Sequence, residues 1–384
     1  MLNKIYKIIN RLLSLKIKTG IKIFFLIIFN NYSKYPKYVL NFESSVAKKF
    51  NSKFSLTFSS GTAAFYSSIL SLGLKQKSTV FISKLTFPST VISLLNSDYQ
   101  IKYLDYDFNF NPIIPDKYEK IIPDLVIVTH PFGIPITKHF TEKLKEKNKK
   151  IKIIFDCSHT QGVKIEDKYL NEYADITFLS IQGSKAISGG EGGLILTNNE
   201  KYYNRMIDLS HPGRPNNNSI NSFAGLSIST KFRMHPLAAI IAHSSLNNLE
   251  NNNLNLAKKF ENIYSLLKNN DLFKIPKINY SELGGFHHGL PFFVMKKNEE
   301  IKNNKYLPIL SYNWPNYEKN EFYNLDNFNS RDIETLQKKY LEINESTNEN
   351  DLSSKLFFVD LNWIKFNSNS YIIKNIKNLL NSIK

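Results

Sequence analysis

The sequence predicts an α/β protein, with a mostly parallel, doubly wound sheet followed by a smaller C-terminal α+β domain. Three observations lead there. Short apolar runs alternate with helical stretches from about residue 54 to 200, the pattern of strands joined by crossover helices. Two of those runs, residues 125–129 and 151–155, are almost continuously apolar, as in strands covered on both faces. After Pro236 the alternation stops and a different, more polar pattern takes over. The 384 residues exceed one ordinary domain. With 42% hydrophobic and 22% charged residues, the chain can bury a sizeable core and is not disordered wholesale.

The elements follow in order. Residues 54–58 read as a strand and 63–72 as a helix. Strand 80–83, helix 90–95 and strand 101–104 come next. Strand 125–129 and strand 151–155 flank a polar helix at 137–148, and strands 176–181 and 194–197 close the series. Residues 237–249 then form a helix, and an Asn-rich stretch follows at 247–255. Asparagine-rich segments are often linkers, but this chain uses Asn and Lys throughout, so the stretch is not read as one. A terminal helix covers 371–383. The expected division is a basic arm at 1–37, a large α/β domain at 38–250 and a small α+β domain at 251–384.

Composition excludes several classes. The single cysteine, Cys157, rules out an internal disulfide framework and multi-cysteine zinc or iron–sulfur sites. No stretch reaches the roughly 18 apolar residues of a membrane-spanning helix. The net charge of +17 is unevenly placed: residues 1–53 hold eleven Lys/Arg and one acid, Glu43. Within that arm, Leu2, Ile5, Ile8/Ile9 and Leu12/Leu13 recur at helical spacing with Lys4, Lys7 and Arg11 between them, which reads as a basic amphipathic helix. Such a face packs on the protein's own body or a second subunit, or lies on an anionic membrane. A signal peptide with 23–29 as its apolar region is a further reading, opposed by Asn30, Asn31 and Tyr32 where small residues should mark cleavage. No nucleic-acid-binding signature accompanies the basic arm.

Ligands of open α/β sheets sit at the carboxyl ends of the strands, and three of those ends are unusual. Ser59-Ser60-Gly61-Thr62-Ala63-Ala64 follows a strand and opens a helix; small residues and the N–H groups of a helix start suit an anion such as phosphate. An ordinary capped helix with a tight turn would look the same. Asp156 closes a buried strand, with His159 three residues on. A carboxylate there needs a cation or donors, or caps the next turn. Ser180-Ile181-Gln182-Gly183-Ser184-Lys185 runs into the glycine-dense Ser188-Gly189-Gly190-Glu191-Gly192-Gly193. Lys185 is either a solvated loop lysine or a nucleophilic amine. In this order, the three make the inventory that pyridoxal phosphate requires: a phosphate site, a partner for the pyridinium nitrogen, and a lysine for the aldehyde carbon. The motifs of α/β-hydrolases, dinucleotide folds and phosphate-loop NTPases fail on spacing. His287-His288 is adjacent instead of ligand-spaced and reads as structural.

These segments resemble the sugar aminotransferases of the DegT–StrS family, fold-type-I pyridoxal-phosphate enzymes. The likeness covers roughly residues 38–250. It rests on Ser60 to Ala64, Leu85-Thr86-Phe87, Asp156-Cys157-Ser158-His159, Phe178 to Gly193, His211-Pro212-Gly213-Arg214 and Lys231 to Ala239. The resemblance implies that Lys185 holds the cofactor and shuttles protons, that Asp156 keeps the pyridinium nitrogen protonated, and that His159 lies near the phenolic oxygen. Phe87 would stack on the ring, and Gly61, Thr62, Ala63 and Ser180 would hold the phosphate. Many members carry an Asn where this chain has Lys231, at a position that reaches the partner subunit's phosphate.

The resemblance also implies a homodimer in the cytoplasm that moves an amino group from L-glutamate (or glutamine) to a keto-sugar, usually nucleotide-linked, for surface polysaccharide or related glycans. Family members with His in place of the lysine act as dehydratases, and Lys185 points away from that activity. Two other readings stand beside it: a non-catalytic regulatory member, and an accessory protein working at the inner membrane surface through its arm.

Overall fold

The computed structural model describes residues 17–29, 37–95, 97–136, 138–212, 214, 230–285, 289–295, 307, 309–311 and 355–382. The amphipathic pattern at Leu2–Leu13 and the His287-His288 pair lie outside them. In chain order the elements are α1 (residues 17–28), α2 (Lys37–Lys49), β1 (Phe54–Phe58), α3 (Gly61–Leu72), β2 (Thr79–Ser83), α4 (Pro88–Leu95), β3 (Gln100–Tyr106), β4 (Pro112–Ile113), β5 (Leu125–Thr129), α5 (Lys138–Lys147) and β6 (Lys152–Asp156). There follow the short β7 (Lys164–Ile165) and β8 (Lys168–Tyr169), then β9 (Ile176–Ser180), β10 (Gly193–Thr197), α6 (Glu200–Ser210), α7 (Pro236–Leu246) and α8 (Leu249–Leu267). The last are β11 (Phe273–Lys274), β12 (Gly289–Val294), β13 (Ile309–Ser311), β14 (Leu356–Asp360), α9 (Leu361–Phe366) and α10 (Asn369–Ser382).

The chain divides into two compact units, each built from two stretches of sequence: Met1–Gly73 with Asp175–Asn252, and Leu74–Ala174 with Asn253–Lys384.

In the first unit the strand order is β1-β10-β9, antiparallel throughout. Antiparallel pairing follows from the connection. β9 and β10 are joined by a loop without a crossover helix, so the chain can only turn back on itself. α3 packs on α6, β9 and β10, and α2 packs on β1 and α7. The buried face of α2 is Val39, Phe42, Glu43 and Val46, one helical stripe with a carboxylate in its middle.

The second unit holds the parallel sheet the sequence predicts. β3, β2, β5 and β6 are neighbours in that order, all parallel, with β4 antiparallel at the edge. β5 is buried along its whole length, as its uninterrupted apolar run requires. The same unit contains a four-stranded antiparallel sheet, β11-β12-β14-β13, packed with α8, α9 and α10. Its core is one apolar cluster that includes Leu85, Phe110 and Phe132 from the first stretch of the unit and Phe260, Phe293 and Val359 from the second. The Phe110 ring lies 5.4 Å from Phe132 and 5.5 Å from Phe293, centroid to centroid.

The helix expected over 237–249 ends earlier, and most of the Asn-rich stretch is the first turns of α8. Leu249, Asn253, Ala257, Phe260, Tyr264 and Leu267 are buried at helical spacing. Asn253 sits on that face because Nδ2 donates to Gln161 O at 2.8 Å and Oδ1 accepts from Gly285 N at 2.9 Å.

Candidate active site

Within the first unit, the chain leaves β1 at Phe58 and enters α3 at Gly61 within a few residues. Ser60 is the N-cap, and its Oγ accepts from Ala63 N at 3.1 Å. The capped-helix reading of this segment is therefore correct as local structure, and Ala63 gives its N–H to the cap. What an ordinary cap does not require is the crowding beneath it. A Cβ on Gly61 would fall 2.9 Å from Ser180 Cβ, and one on Gly193 would fall 2.1 Å from Ser60 O. The helix start thus rests on the carboxyl end of β9 and the first residue of β10, at a distance only glycine permits.

Thr57, fully buried, anchors this corner from below. Its N and Oγ1 both donate to Glu43 Oε1 at 2.8 Å, and its carbonyl oxygen lies 2.8 Å from His211 Nε2. Burial, together with the nearby Arg214 and Arg233 charges, pushes His211 down to about 3 despite that bond. The ring is therefore neutral, and Nε2–H donates to Thr57 O. Arg214 closes the arrangement with a bidentate bond to Glu43 at 3.0 and 2.7 Å. His211 and Arg214 were legible as a motif, but their structural role under β1 was not. Lys231 is exposed in a segment laid beside the same corner: Phe232 N donates to Ser210 O, and Ser59 N donates to Phe232 O.

Lys185 lies in the loop joining β9 to β10. The loop is braced on both sides. Ile181 N bonds Gly192 O at 2.9 Å, Gly189 N bonds Ile181 O at 2.8 Å, and Ser188 N bonds Ser245 Oγ of α7 at 3.0 Å. Gly190 holds φ +86°, and a Cβ on Gly189 would fall 2.9 Å from Ala238 O. Lys185 N donates to Gln182 O, and Ser184 N and Oγ both donate to Gln182 Oε1. The half-buried lysine is thus carried by a fixed turn, and the flexible-loop reading is set aside.

Within the second unit, the carboxyl ends of β2, β5 and β6 gather the remaining candidates. Thr129 pairs with Asp156 across β5 and β6. Thr129 Oγ1 donates to Thr86 Oγ1 at 2.8 Å, which ties in the residue before Phe87. Asp156 is 5% exposed, and its Oδ1 accepts from Ser158 N at 2.9 Å. The turn-capping role is real, and it occupies one carboxylate oxygen of a side chain almost removed from water. Phe87 shows the opposite: an aromatic residue 57% exposed, placed directly before α4. His159 Nδ1 accepts from Phe132 N at 3.4 Å, which leaves the ring proton of the neutral form on Nε2. Phe132 presents that N–H from a left-handed conformation, φ +56°, and this sequence reasoning did not find. The Pro131-Phe132-Gly133 turn was the available signal.

These features fit pyridoxal phosphate. The first unit offers a helix start on a glycine-only cradle and a lysine on a braced turn. The second offers a buried carboxylate, a histidine of defined tautomer and an exposed aromatic face. No group of three or more His, Cys, Asp or Glu side chains that could hold a metal occurs among the described residues.

Comparison with known proteins gives the family and the fold. Residues 28–313 match the model of the DegT/DnrJ/EryC1/StrS aminotransferase family. The chain is 27% identical over 180 residues to GDP-perosamine synthase of Escherichia coli O157:H7, covering 46% of this chain and 49% of that one. It is 27% identical over 293 residues to 3-oxo-glucose-6-phosphate:glutamate aminotransferase of Bacillus subtilis, covering 72% and 64%. The chain thus spans about half to two thirds of these relatives. Among solved structures, Escherichia coli GDP-4-keto-6-deoxy-D-mannose-3-dehydratase with bound hydrated pyridoxal phosphate superimposes with a TM-score of 0.72 at 18% identity, over 91% of this chain and 92% of that one. At that identity the likeness establishes the fold.

Proposed function

The chain belongs to the DegT/DnrJ/EryC1/StrS aminotransferase family, and on that premise we propose that it is a pyridoxal-phosphate-dependent sugar aminotransferase. In this reading it moves an amino group from L-glutamate or glutamine to a keto-sugar. The observation that carries the reading is Lys185, a lysine on a turn braced by Gly189, Gly190 and Ser245. When bound, the cofactor supplies an electron sink and a carrier for the nitrogen. The chain's own groups do the rest. Lys185 would hold the cofactor and, as a free amine, carry the proton taken from the donor's α-carbon. Asp156 holds the proton on the ring nitrogen, the task for which a buried carboxylate is suited. His159 would offer its Nε2–H to the phenolic oxygen. Phe87 would cover the ring and exclude water from it. Gly61, Thr62 and Ser180 would seat the phosphate, Ala63 N–H being already given to Ser60 Oγ, with Lys231 as a further cation for a phosphate.

The named relatives frame the acceptor. One is a GDP-perosamine synthase and one acts on 3-oxo-glucose-6-phosphate, so the inferred acceptor is a keto-sugar carrying a phosphate or nucleotide. A dehydratase is among the structural neighbours, but the amine of Lys185 supports amino transfer. We further propose that residues 38–250 form the cofactor-binding part, 251–384 the smaller domain, and that the enzyme works as a cytoplasmic homodimer.

The test is an absorption spectrum of the protein loaded with pyridoxal phosphate, before and after L-glutamate. The expected result is a cofactor band above the protein absorption that bleaches on donor addition. Lys185→Ala should abolish the change and lower turnover by about a thousandfold or more. Full turnover in that variant, or no bound cofactor in the parent, overturns the reading.

A further inference from the structure

Helix α1 has two apolar faces, and only one of them is used. Leu26 is 8% exposed, and Ile23 and Thr19 beside it are half-buried. This face is the one the first unit covers; nearby, Lys22 Nζ stands 5.2 Å from the Tyr38 ring centroid of α2 and lies close enough to help hold His243 of α7 below its ordinary value, after burial. On the opposite side, Ile17, Ile21, Phe24 and Ile28 recur at i, i+4, i+7 and i+11. Each is more than half exposed, Phe24 at 58%. A stripe at that spacing lies along one line of a helix. Phe25 widens the stripe, and the exposed Lys18 and Lys22 border it on one side. A contiguous apolar strip with bulky aromatics is not left in water without a partner.

We propose that this stripe is a docking surface for an anionic lipid bilayer, with α1 lying in the plane of the interface. Charge selects that occupant. Residues 1–53 carry eleven Lys/Arg against one acid, and that acid, Glu43, is buried and paired with Arg214. A second copy docking through the same stripe would bring two such segments together and be repelled. A bilayer containing anionic headgroups gains attraction from the same lysines, while its hydrocarbon edge accepts isoleucine and phenylalanine without a shaped pocket. No helix among the described residues is long and apolar enough to cross a membrane, so the contact is peripheral. The surface is independent of the catalytic chemistry, and its failure would leave the aminotransferase reading intact.

The experiment is co-sedimentation of the full-length, cofactor-loaded protein with two sets of vesicles, phosphatidylcholine alone and phosphatidylcholine mixed with phosphatidylglycerol. The protein should partition to the anionic vesicles about tenfold or more over the neutral ones, and high salt should remove the difference. The double variant Ile21→Ser, Phe24→Ser should lose about tenfold or more of that binding, with unchanged turnover, far-ultraviolet circular dichroism and oligomeric mass. Lys18→Glu, which leaves the apolar stripe whole, should weaken binding to anionic vesicles alone. The proposal is overturned by absence of vesicle binding in the parent or by equal binding in the double variant. A fall in oligomeric mass on the double substitution also overturns it, since that result gives the stripe to a second copy.

Discussion

Thr57 shows how a residue without chemistry of its own can set the geometry of a site. Its N–H and Oγ–H go to Glu43, its carbonyl receives His211, and Glu43 in turn holds Arg214. Three segments are thereby fixed under the turn that opens at Ser59. Glu43 is 4% exposed and Arg214 side chain 9%, so neither charge tolerates the loss of the other. Glu43→Gln should therefore lower unfolding stability by roughly 3–5 kcal/mol, read from urea denaturation. Glu43→Gln combined with Arg214→Met should recover most of that loss, because the double variant leaves no unpaired charge. A single substitution that costs less than about 1 kcal/mol would show the pair to be solvated. The pair was hidden in the sequence because its members are separated by 171 positions. Lys185 and Asp156 were legible, since each sits beside its own local signal: a glycine-dense run in one case, an apolar strand ending in a carboxylate in the other.

At the scale of elements, the seven longer strands of the first 200 residues were legible to within a residue or two, whereas the short β4, β7 and β8 and the strands β11 to β14 were not read, and neither were α2 and α6. β5 coincides with its apolar run, because a strand buried on both faces is apolar nearly throughout. α8 was obscured because its first turns are rich in asparagine, a poor helix former. Tertiary contacts decide the matter: one asparagine, Asn253, points inward and bonds Gln161 O and Gly285 N, while Asn255 is exposed. The two should behave differently when replaced. Asn253→Ala leaves a buried N–H and a buried carbonyl without their partner, and should lower stability by about 1–3 kcal/mol. Asn255→Ala should change it by no more than about 0.5 kcal/mol, or raise it slightly through better helix propensity. Thermal denaturation of the two variants side by side separates a structural asparagine from a merely tolerated one. Equal midpoints would mean that the Asn253 bonds are replaced by water.

At the scale of the whole molecule, what the sequence concealed is which residues share a core. Phe110 meets both Phe132 and Phe293 of β12, and no periodicity within one segment announces such a meeting. The same scale carries a dependence on pH. Among the described residues, each compact unit contains one deeply buried histidine: His211 in the first and His130 in the second. Burial pushes both from 6.5 down to about 3. His130 Nδ1 accepts from Ile136 N at 2.9 Å, while Nε2 has no hydrogen-bond partner among the described residues, so nothing compensates a charge on that ring. Above the unfolded value near 6.5 both states bind the same protons and stability is complete. As the pH falls below it, the unfolded chain takes up two protons that the native protein refuses, so stability declines until the folded values near 3 are reached. Each group contributes a slope of up to about 1.4 kcal/mol per pH unit, so the pair should cost roughly 4 kcal/mol between neutral pH and about pH 5. That window lies above the ordinary carboxylate range and isolates the histidines. The replacements should respect the bonds. His130→Asn keeps an acceptor for Ile136 N, and His211→Gln keeps a donor for Thr57 O. Each variant should remove its own ring's share of the slope in urea midpoints measured across the window, with the lowered His243 left as a remainder in both. A pH-independent midpoint in the parent would show that both rings take up their protons in the folded protein as readily as in the unfolded chain. If the units unfold separately, each substitution should flatten only its own transition, which would assign the two transitions to their units.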